Sequence, residues 1–328
     1  AGEAGEAGEA GDAGDEDCAQ ASPPASPASP ASPAPPASPA SPAHPLDPLG
    51  AAEIDTAATL FRGPAGFPAG GRFSTIVLHE PEKSVVLAFK PGAAIGRQAF
   101  AIVIDRQGGK TFEAIADLTA SKIVAWTEVK GAQPPLLAGE YDELIRIVKA
   151  DSRWQEAMQK RGITDFSTVQ VDGWAVGQVA AAQNAARLMR GVTYLVGGQT
   201  NFYGRPIEGV VALVNMNAGR VVELTDSGVV PMPPPSQELH EHSTGTRTAP
   251  KRLAISQPDG PSYTVNGQEI RWQKWRFRYT LHPREGLILH TVGYEDGGRL
   301  RPILYRASLS EMVVPYGDAD QNWRWRAA

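Results

Sequence analysis

Hydrophobic positions recur at helical spacing in two parts of the chain, and each time strand-like segments follow. The first helical stripe begins after Asp47-Pro48, which we interpret as an N-cap followed by proline at the first helical position, and it ends at Gly63-Pro64. Short apolar and alternating runs then predict five strands, over residues 73–78, 84–89, 98–105, 111–117 and 122–129. One helix followed by an antiparallel meander predicts a small α+β unit.

The same order of elements is repeated after residue 130. Apolar spacing predicts one helix over residues 137–148 and a second over 152–160, closed by Gly162. The strand-like runs that follow cover residues 168–176, 192–196, 207–215 and 220–224. We therefore predict two successive helix-plus-antiparallel-sheet domains, over residues 45–130 and 131–226.

A proline-rich, polar connection over residues 227–261 leads into a third region, which is rich in strand signals. Asn266-Gly267 and Asp296-Gly297-Gly298 are hairpin turn signals, and the predicted strands cover residues 263–265, 270–272, 275–281, 286–294 and 299–305. We expect residues 262–328 to be the truncated start of a large β-sandwich, with apolar side chains such as Ile288 and Val292 left exposed. The predicted fold class is α+β: two small helix-plus-sheet domains, then the first strands of a sandwich.

The first 44 residues contain an Ala-Gly-Glu/Asp repeat and then an Ala-Ser-Pro repeat. Neither repeat has apolar side chains large enough to offset the entropy of ordering, so we predict a disordered tail that acts as a spacer. The chain up to Leu46 holds seven acidic residues and no Lys or Arg, and subtracting them from the net charge of −5 leaves about +2 for the remainder. That near-neutral remainder has no clustered basic stripe, so nucleic acid is not an expected partner.

Cysteine and hydropathy patterns add little. The single cysteine, Cys18, allows no intrachain disulfide. No run of about 18 apolar residues occurs, which argues against a membrane span, and no signal peptide is visible after Ala1. We therefore expect a soluble protein without a membrane partner and favour the cytoplasm.

Four sequence runs near the end of the chain are more specific than these patterns. They are QPDGPSY at 257–263, WQKWRFR at 272–278, REGL at 284–287 and YRASLSEMVVPYGD at 305–318. Together they resemble the start of the catalytic β-sandwich of copper amine oxidases. The two α+β units resemble the two small domains that precede that sandwich in the family, so the resemblance covers residues 45–328.

The resemblance implies an enzyme that oxidises primary amines to aldehydes, reduces oxygen to hydrogen peroxide and releases ammonia. It implies a homodimer with a copper ion held by three histidines and with topaquinone, a cofactor made from one of the enzyme's own tyrosines. Tyr316, in the Pro-Tyr-Gly-Asp motif, is implied to hydrogen-bond an oxygen of the quinone. The family's order places the catalytic aspartate, the quinone tyrosine and the copper histidines beyond Ala328, so no cofactor or metal residue is assigned here. The chain alone is predicted to be inactive.

Two other patterns receive plainer interpretations. His240-Glu241-His242 lies in the proline-rich connection, so we interpret it as a solvated loop, with adventitious metal binding as the alternative. The run Asn201-Phe202-Tyr203-Gly204 resembles the quinone motif, but phenylalanine stands where the modified tyrosine must be, and we predict a turn. The acids near the apolar runs of the second unit are interpreted as surface residues: Asp165, Asp172, Glu208 and Glu223.

A hypothesis of a different class remains open for the whole chain. The two α+β units could serve as a scaffold or interaction module without catalysis, with the tail as a spacer. This hypothesis requires residues 45–224 to form a stable fold by themselves.

Overall fold

A computed structural model describes residues 43–63, 66–176, 186–198, 201–235, 245, 248–310, 312, 314, 317 and 325. The first helix-plus-sheet unit has an antiparallel sheet in the order β1-β2-β3-β4. Its elements are α1 (Ala51–Arg62), β1 (Arg72–Leu78), α2 (Lys83–Ala88), β2 (Gln98–Asp105), β3 (Lys110–Asp117) and β4 (Lys122–Glu128). Helix α1 packs on a patch of alanines in this sheet, where Ala99 pairs with Ala116 and Ala101 with Ala114. These small side chains let Phe61 of α1 lie fully buried against the strands.

Helix α1 begins later than the sequence predicts, and Asp47 is not its N-cap. Gly50 occupies that position, and the Glu53 carboxylate accepts a hydrogen bond of 2.8 Å from the Gly50 amide. The buried guanidinium of Arg97 donates to the carbonyl oxygens of Asp47, at 2.9 Å, and Pro48, at 3.1 Å. Because these carbonyls are bound to a side chain from the sheet, the segment before Gly50 stays non-helical.

The predicted strand at 84–89 is also wrong, because these residues form most of the short helix α2. The amides of Val85 and Val86 both donate to the carbonyl oxygen of Glu82, at 2.9 and 3.1 Å. A short apolar run rich in β-branched residues has no periodicity that separates a strand from a helix. The other predicted strands of this unit match β1 to β4 closely.

The second unit has two helices and another antiparallel sheet, in the order β5-β6-β7-β8. Its elements are α3 (Ala138–Ala150), α4 (Ser152–Lys160), β5 (Val169–Trp174), β6 (Leu188–Leu195), β7 (Pro206–Asn215) and β8 (Arg220–Asp226). The predicted closure of α4 is confirmed: Gly162 has a φ of +77°, and the Ile163 amide donates to the Met158 carbonyl at 3.1 Å.

Two glycines let helix α3 lie close to the second sheet. Gly173 of β5 and Gly191 of β6 are cross-strand partners. A Cβ atom added at Gly173 would lie 2.8 Å from a ring carbon of Tyr141 and 3.0 Å from a methyl group of Leu144, both in α3. The core of this unit, which includes Leu144, Trp154 and Met158, forms where the two helices cover the sheet.

The third region is a five-stranded antiparallel sheet in the order β13-β12-β11-β10-β9. Its strands are β9 (Tyr263–Asn266), β10 (Glu269–Trp272), β11 (Trp275–His282), β12 (Gly286–Asp296) and β13 (Arg299–Ser308). Gly267, Gly297 and Gly298 have positive φ angles in the predicted hairpin turns. Two helix-plus-sheet units followed by a separate β-sheet confirm the predicted α+β class. Ile288 and Val292 are buried, contrary to expectation.

Candidate functional site

The residue that the sequence singles out, Tyr316, lies outside the described residues, and so do His240, Glu241 and His242. Strand β13 ends at Ser308, eight positions before Tyr316 in the chain. The described residues include the polar groups that connect the three sheets, but not Tyr316.

In each unit, one arginine binds the start of the first helix, and its contacts are arranged in the same way. In the first unit, Arg97 lies directly before β2, and its guanidinium donates to both carboxylate oxygens of Glu53, at 2.8 and 3.1 Å. The same guanidinium binds backbone carbonyls of the segment before α1. We call this group of contacts the first clasp. Glu53 is the third residue of α1, where its carboxylate also caps the helix.

The second clasp repeats this geometry around α3. Arg187, directly before β6, donates through Nε to Glu140 Oε1 at 2.5 Å, and through Nη2 to the other carboxylate oxygen. Its guanidinium also donates to the carbonyls of Pro134 and Pro135, each at 3.0 Å. Glu140 is the third residue of α3 and accepts a hydrogen bond of 2.7 Å from the Leu137 amide. Both clasps therefore fix a non-helical segment against the strand that follows the arginine.

The two clasps differ in burial. The side chains of Arg187 and Glu140 are 1% and 0% exposed, whereas Glu53 in the first clasp is 24% exposed. Burial opposes the charged form of Glu140, but the hydrogen bond from Arg187 holds the pKa of this carboxyl below its usual value. The pKa of Glu53 is lowered by its bonds to Arg97, also against an opposing effect of burial.

Arg106 connects the first unit to the second. It follows β2 and donates to both carboxylate oxygens of Glu143 in α3, at 2.6 and 3.1 Å. It also donates to the Met216 carbonyl, and its Nε lies 3.7 Å from Glu140 Oε1 in the second clasp. The first unit thus covers the second clasp with a further positive charge.

A set of contacts that we call the seam connects the first unit to the third sheet. It comprises His44, Asp47 and Glu80 of the first unit, with Arg278, His290 and Arg306 of the third sheet. Asp47 is ion-paired with Arg278, and Arg306 Nε lies 3.1 Å from Glu80 Oε1. The seam explains the burial of Ile288, which shares a strand face with His290.

Arg306 also fixes the end of β13. Its two terminal nitrogens donate to the two carboxylate oxygens of Glu285, at 2.8 and 2.9 Å, and Ser308 Oγ donates to the same carboxylate. The hydrogen bonds from Arg306 and Ser308 lower the pKa of Glu285 to about 2. The last described strand before the Tyr316 motif is therefore tied to the β11–β12 turn by a charged pair.

A cavity of about 580 Å³ lies where the three sheets meet. Thr75, Ile102 and Thr111 line it from the first sheet, Arg187 and Leu188 from the second unit, and Arg284 from the β11–β12 turn. The Arg187 guanidinium is already bound to Glu140. The described lining includes one carboxylate, Glu113, and the Thr111 hydroxyl donates a hydrogen bond of 2.9 Å to the Ala132 carbonyl.

The turn that resembles the quinone motif has a structural role. Residues Phe202–Gly204 form a 3-10 helix in which the rings of Phe202 and Tyr203 lie 4.3 Å apart. The Tyr203 hydroxyl lies 3.5 Å from Asp172 Oδ2, and burial together with the Asp172 charge raises the pKa of Tyr203. Asp172 also accepts a hydrogen bond of 2.9 Å from the Trp174 indole, so it is a half-buried structural acceptor rather than a free surface acid.

Copper requires a set of ligands that the described residues do not provide. Within them, no group of three histidine, cysteine, aspartate or glutamate side chains is arranged to hold a metal ion. His44 and His290, which lie on the two sides of the seam, accompany arginine-paired carboxylates. The described part of the chain therefore does not fit a copper site. None of its helices is long and apolar enough to cross a membrane.

Comparison with known sequences gives the family. Three family models match the chain in succession: "Copper amine oxidase, N2 domain" at residues 44–129, "Copper amine oxidase, N3 domain" at 139–245 and "Copper amine oxidase, enzyme domain" at 264–328. The chain is 37% identical over 285 residues to a primary amine oxidase of Klebsiella aerogenes. It is 38% identical over 274 residues to a primary amine oxidase of Arthrobacter sp. (strain P1).

These matches cover 85% and 82% of the chain, but only 37% and 42% of the two relatives. The chain thus spans about 40% of the length of the curated relatives that it matches. A solved structure of a copper-containing benzylamine oxidase from Hansenula polymorpha shares the fold, with a TM-score of 0.72 and 24% identity over 87% of this chain and 47% of that one. On the three consecutive domain matches, the chain belongs to the copper amine oxidase family.

Proposed function

We propose that this chain forms the front part of a primary-amine oxidase, which converts primary amines and oxygen to aldehydes, ammonia and hydrogen peroxide. The observation that carries the proposal is the succession of three domain matches in one chain. The names of the two bacterial relatives support the substrate class. A tobacco relative, 36% identical over 327 residues, is named a peroxisomal diamine oxidase, so the named amine differs among relatives.

The proposed division of labour follows from the described contacts. Copper and topaquinone would supply the redox chemistry of the oxidase, and we assign no described residue to either. Residues 45–130 and 131–226 are proposed as two domains, each with its own sheet and clasp. Residues 227–261 are proposed as a connection and 262–328 as the first part of the catalytic domain, after a tail of 44 residues. The clasps and the seam would hold that first part in place.

Tyr316 is the residue of this chain that we propose to act at the quinone. Its hydroxyl would donate a hydrogen bond to a quinone oxygen, an interaction that favours negative charge developing on that oxygen. A Tyr316→Phe variant of the complete gene product should form the cofactor, show a shifted visible absorption band and have a lower kcat. Tyr203→Phe, which alters a tyrosine of the second unit, should leave the band unchanged.

The proposal predicts that the 328-residue polypeptide alone does not oxidise amines. Its sequence contains no Asn-Tyr pair, so it holds no copy of the Asn-Tyr-Asp/Glu-Tyr motif from which the family makes its quinone. The proposed oxidase is a homodimer, which sedimentation of the complete product would test.

The experiment that tests the function uses the complete coding sequence that contains these residues. Its product, expressed with copper, should consume oxygen and release hydrogen peroxide when given methylamine or benzylamine. The 328-residue chain, expressed in parallel, is the matched control and should do neither. A copper-loaded complete product that oxidises none of a panel of primary amines would contradict the proposed function.

A further inference from the structure

Two histidines lie at the seam, one on each side. His44 belongs to the segment that precedes α1, where its ring lies 5.2 Å from the ring of Phe89. His290 belongs to β12 and is only 1% exposed. Its Nε2 lies 3.2 Å from Thr280 Oγ1 in the neighbouring strand. His290 is thus removed from bulk water, whereas His44 is half-buried beside Phe89.

The hydrogen bonds of both rings suit the neutral form. His44 Nδ1 accepts a hydrogen bond of 3.1 Å from the Leu46 amide, and a nitrogen can accept only when it carries no proton. His290 Nδ1 is buried and has no hydrogen-bond partner among the described residues. The nearest carboxylate, Glu80, lies 3.9 Å from His290 Nε2 and is paired with Arg306. A second proton on either ring would therefore break a bond or lack an acceptor.

The charges that face the two rings do not favour a further positive charge. Around His290 they are Glu80, Glu285, Arg278 and Arg306, and around His44 they are Asp47, Glu269, Arg278 and His290 itself. Each carboxylate in this set is already paired with an arginine: Asp47 with Arg278, Glu80 and Glu285 with Arg306, and Glu269 with Arg271 and Arg276. Glu82 and Lys83, at the start of α2, interact with Tyr305 of β13.

We propose that the seam is an acid-sensitive contact, which is closed while His44 and His290 are neutral and opens when they bind protons. Opening would return both rings to water, where their positive charge is solvated. The first unit would then separate from β11, β12 and β13, and the segments that lose this cover, α2 and β12, would open their own hydrogen bonds more often. This property concerns the coupling between domains and does not depend on amine oxidation.

The lowered pKa values of the two histidines support an opening of the seam in acid. Burial, followed by the charge of Arg278, lowers the pKa of His44 from 6.5 to about 4. Burial is also the main cause that lowers the pKa of His290. Both groups bind protons more tightly in the open form, so the closed form is favoured above about pH 6.5 and loses stability as the pH falls from there. Because opening is linked to proton binding, the equilibrium constant for opening can rise at most roughly tenfold per pH unit for each histidine.

Hydrogen exchange of the full 328-residue chain, measured by mass spectrometry and corrected for intrinsic exchange rates, tests the proposal. At about pH 7.5, peptides from residues 79–90 and 286–296 should be protected; at about pH 5 they should exchange at least ~10-fold faster relative to β7 peptides. The double variant His44→Asn, His290→Gln keeps polar atoms near the positions of Nδ1 and Nε2 but cannot titrate. Its protection should be the same at both pH values.

The controls make each outcome decisive. His79→Asn changes a histidine that binds Gln98 within the first unit and should retain the acid response of the unaltered chain. Should the double variant fail to fold, His44→Asn alone should still reduce the acid response. The proposal is overturned if the unaltered chain shows no faster exchange at the seam in acid. It is also overturned if the seam is unprotected at neutral pH, or if a folded double variant keeps the full response.

Discussion

The two clasps use the same chemistry at different depths. In each unit, the arginine directly before the second strand donates hydrogen bonds to a glutamate at the third position of a helix. It also donates to backbone carbonyls of the segment before that helix. The first clasp is partly open to solvent at Glu53, whereas the second is sealed and has Arg106 beside it. Such a buried pair is costly to break, because the charge that remains has lost both water and its partner.

The two clasps also differ in whether a residue of another unit contacts them. The first clasp is built entirely from residues of its own unit. The second clasp is covered by Arg106, which reaches across from the first unit to Glu143 and Met216. We therefore expect the stability of the second clasp, unlike that of the first, to depend on the packing of the two units against each other.

Breaking the second clasp should have the largest effect. Arg187→Met leaves the Glu140 carboxylate buried without its main partner and should lower the free energy of unfolding by about 3–5 kcal/mol. Urea denaturation at neutral pH measures this loss. The double variant Arg187→Met, Glu140→Leu should recover much of it, because no unpaired charge remains. A loss below about 1 kcal/mol in the single variant would show that the clasp is not sealed in solution.

The equivalent change in the first clasp should cost less. Arg97→Met leaves Glu53 with partial access to water, so we expect a loss of about 1–3 kcal/mol in the same urea experiment. Arg271→Met, which removes an exposed partner of Glu269, is a matched control and should cost less than about 1 kcal/mol. Equal losses for Arg97→Met and Arg187→Met would remove the proposed distinction between the clasps.

Mild acid should weaken the seam while both clasps stay intact. The pKa values of Glu53 and Glu140 are held below the usual 4.5, so the clasps keep their full stability above that pH and lose it only as the pH falls further. The seam loses stability at a higher pH, from about pH 6.5 downward, because its two histidines bind protons there. Between pH 7 and 5 we expect the free energy of unfolding to fall by roughly 1–2 kcal/mol, and the histidine double variant should abolish this fall.

Removing the cover of the second clasp should give the smallest effect. Arg106→Met breaks the pair with Glu143 but leaves Arg187 on Glu140, so the expected loss is about 1 kcal/mol. Exchange of peptides from residues 134–144 should rise modestly in this variant, while β2 stays protected. A loss as large as that of Arg187→Met would mean that Arg106, rather than Arg187, neutralises Glu140.

The sequence predicted the elements well where turn chemistry and spacing agree. The Asn266-Gly267 turn separates β9 from β10, and the glycine at 162 closes α4, as expected. The prediction failed at residues 84–89, where local pattern is ambiguous, and at Asp47, which a contact from Arg97 keeps out of the helix. Local sequence carries no information about that contact.

The clasps were missed for the same reason. A glutamate at the third helical position is a visible capping signal in both units. Its arginine partner, however, lies 44 residues away in the first unit and 47 in the second. The burial of Ile288 was likewise missed. Ile288 shares a strand face with His290, whose Nε2 lies 3.9 Å from Glu80 of the first unit. Tyr316 stays a prediction, outside the described residues.

Phenylhydrazine, which reacts with a protein-bound quinone, distinguishes two polypeptides under one treatment. We propose that these residues build and hold the frame of an amine oxidase whose redox centre is not formed from them. The complete gene product and the 328-residue chain are each incubated with copper and air and then titrated with phenylhydrazine. We predict a coloured quinone adduct in the complete product and none in the chain; a stoichiometric coloured adduct on the 328-residue chain would contradict the account.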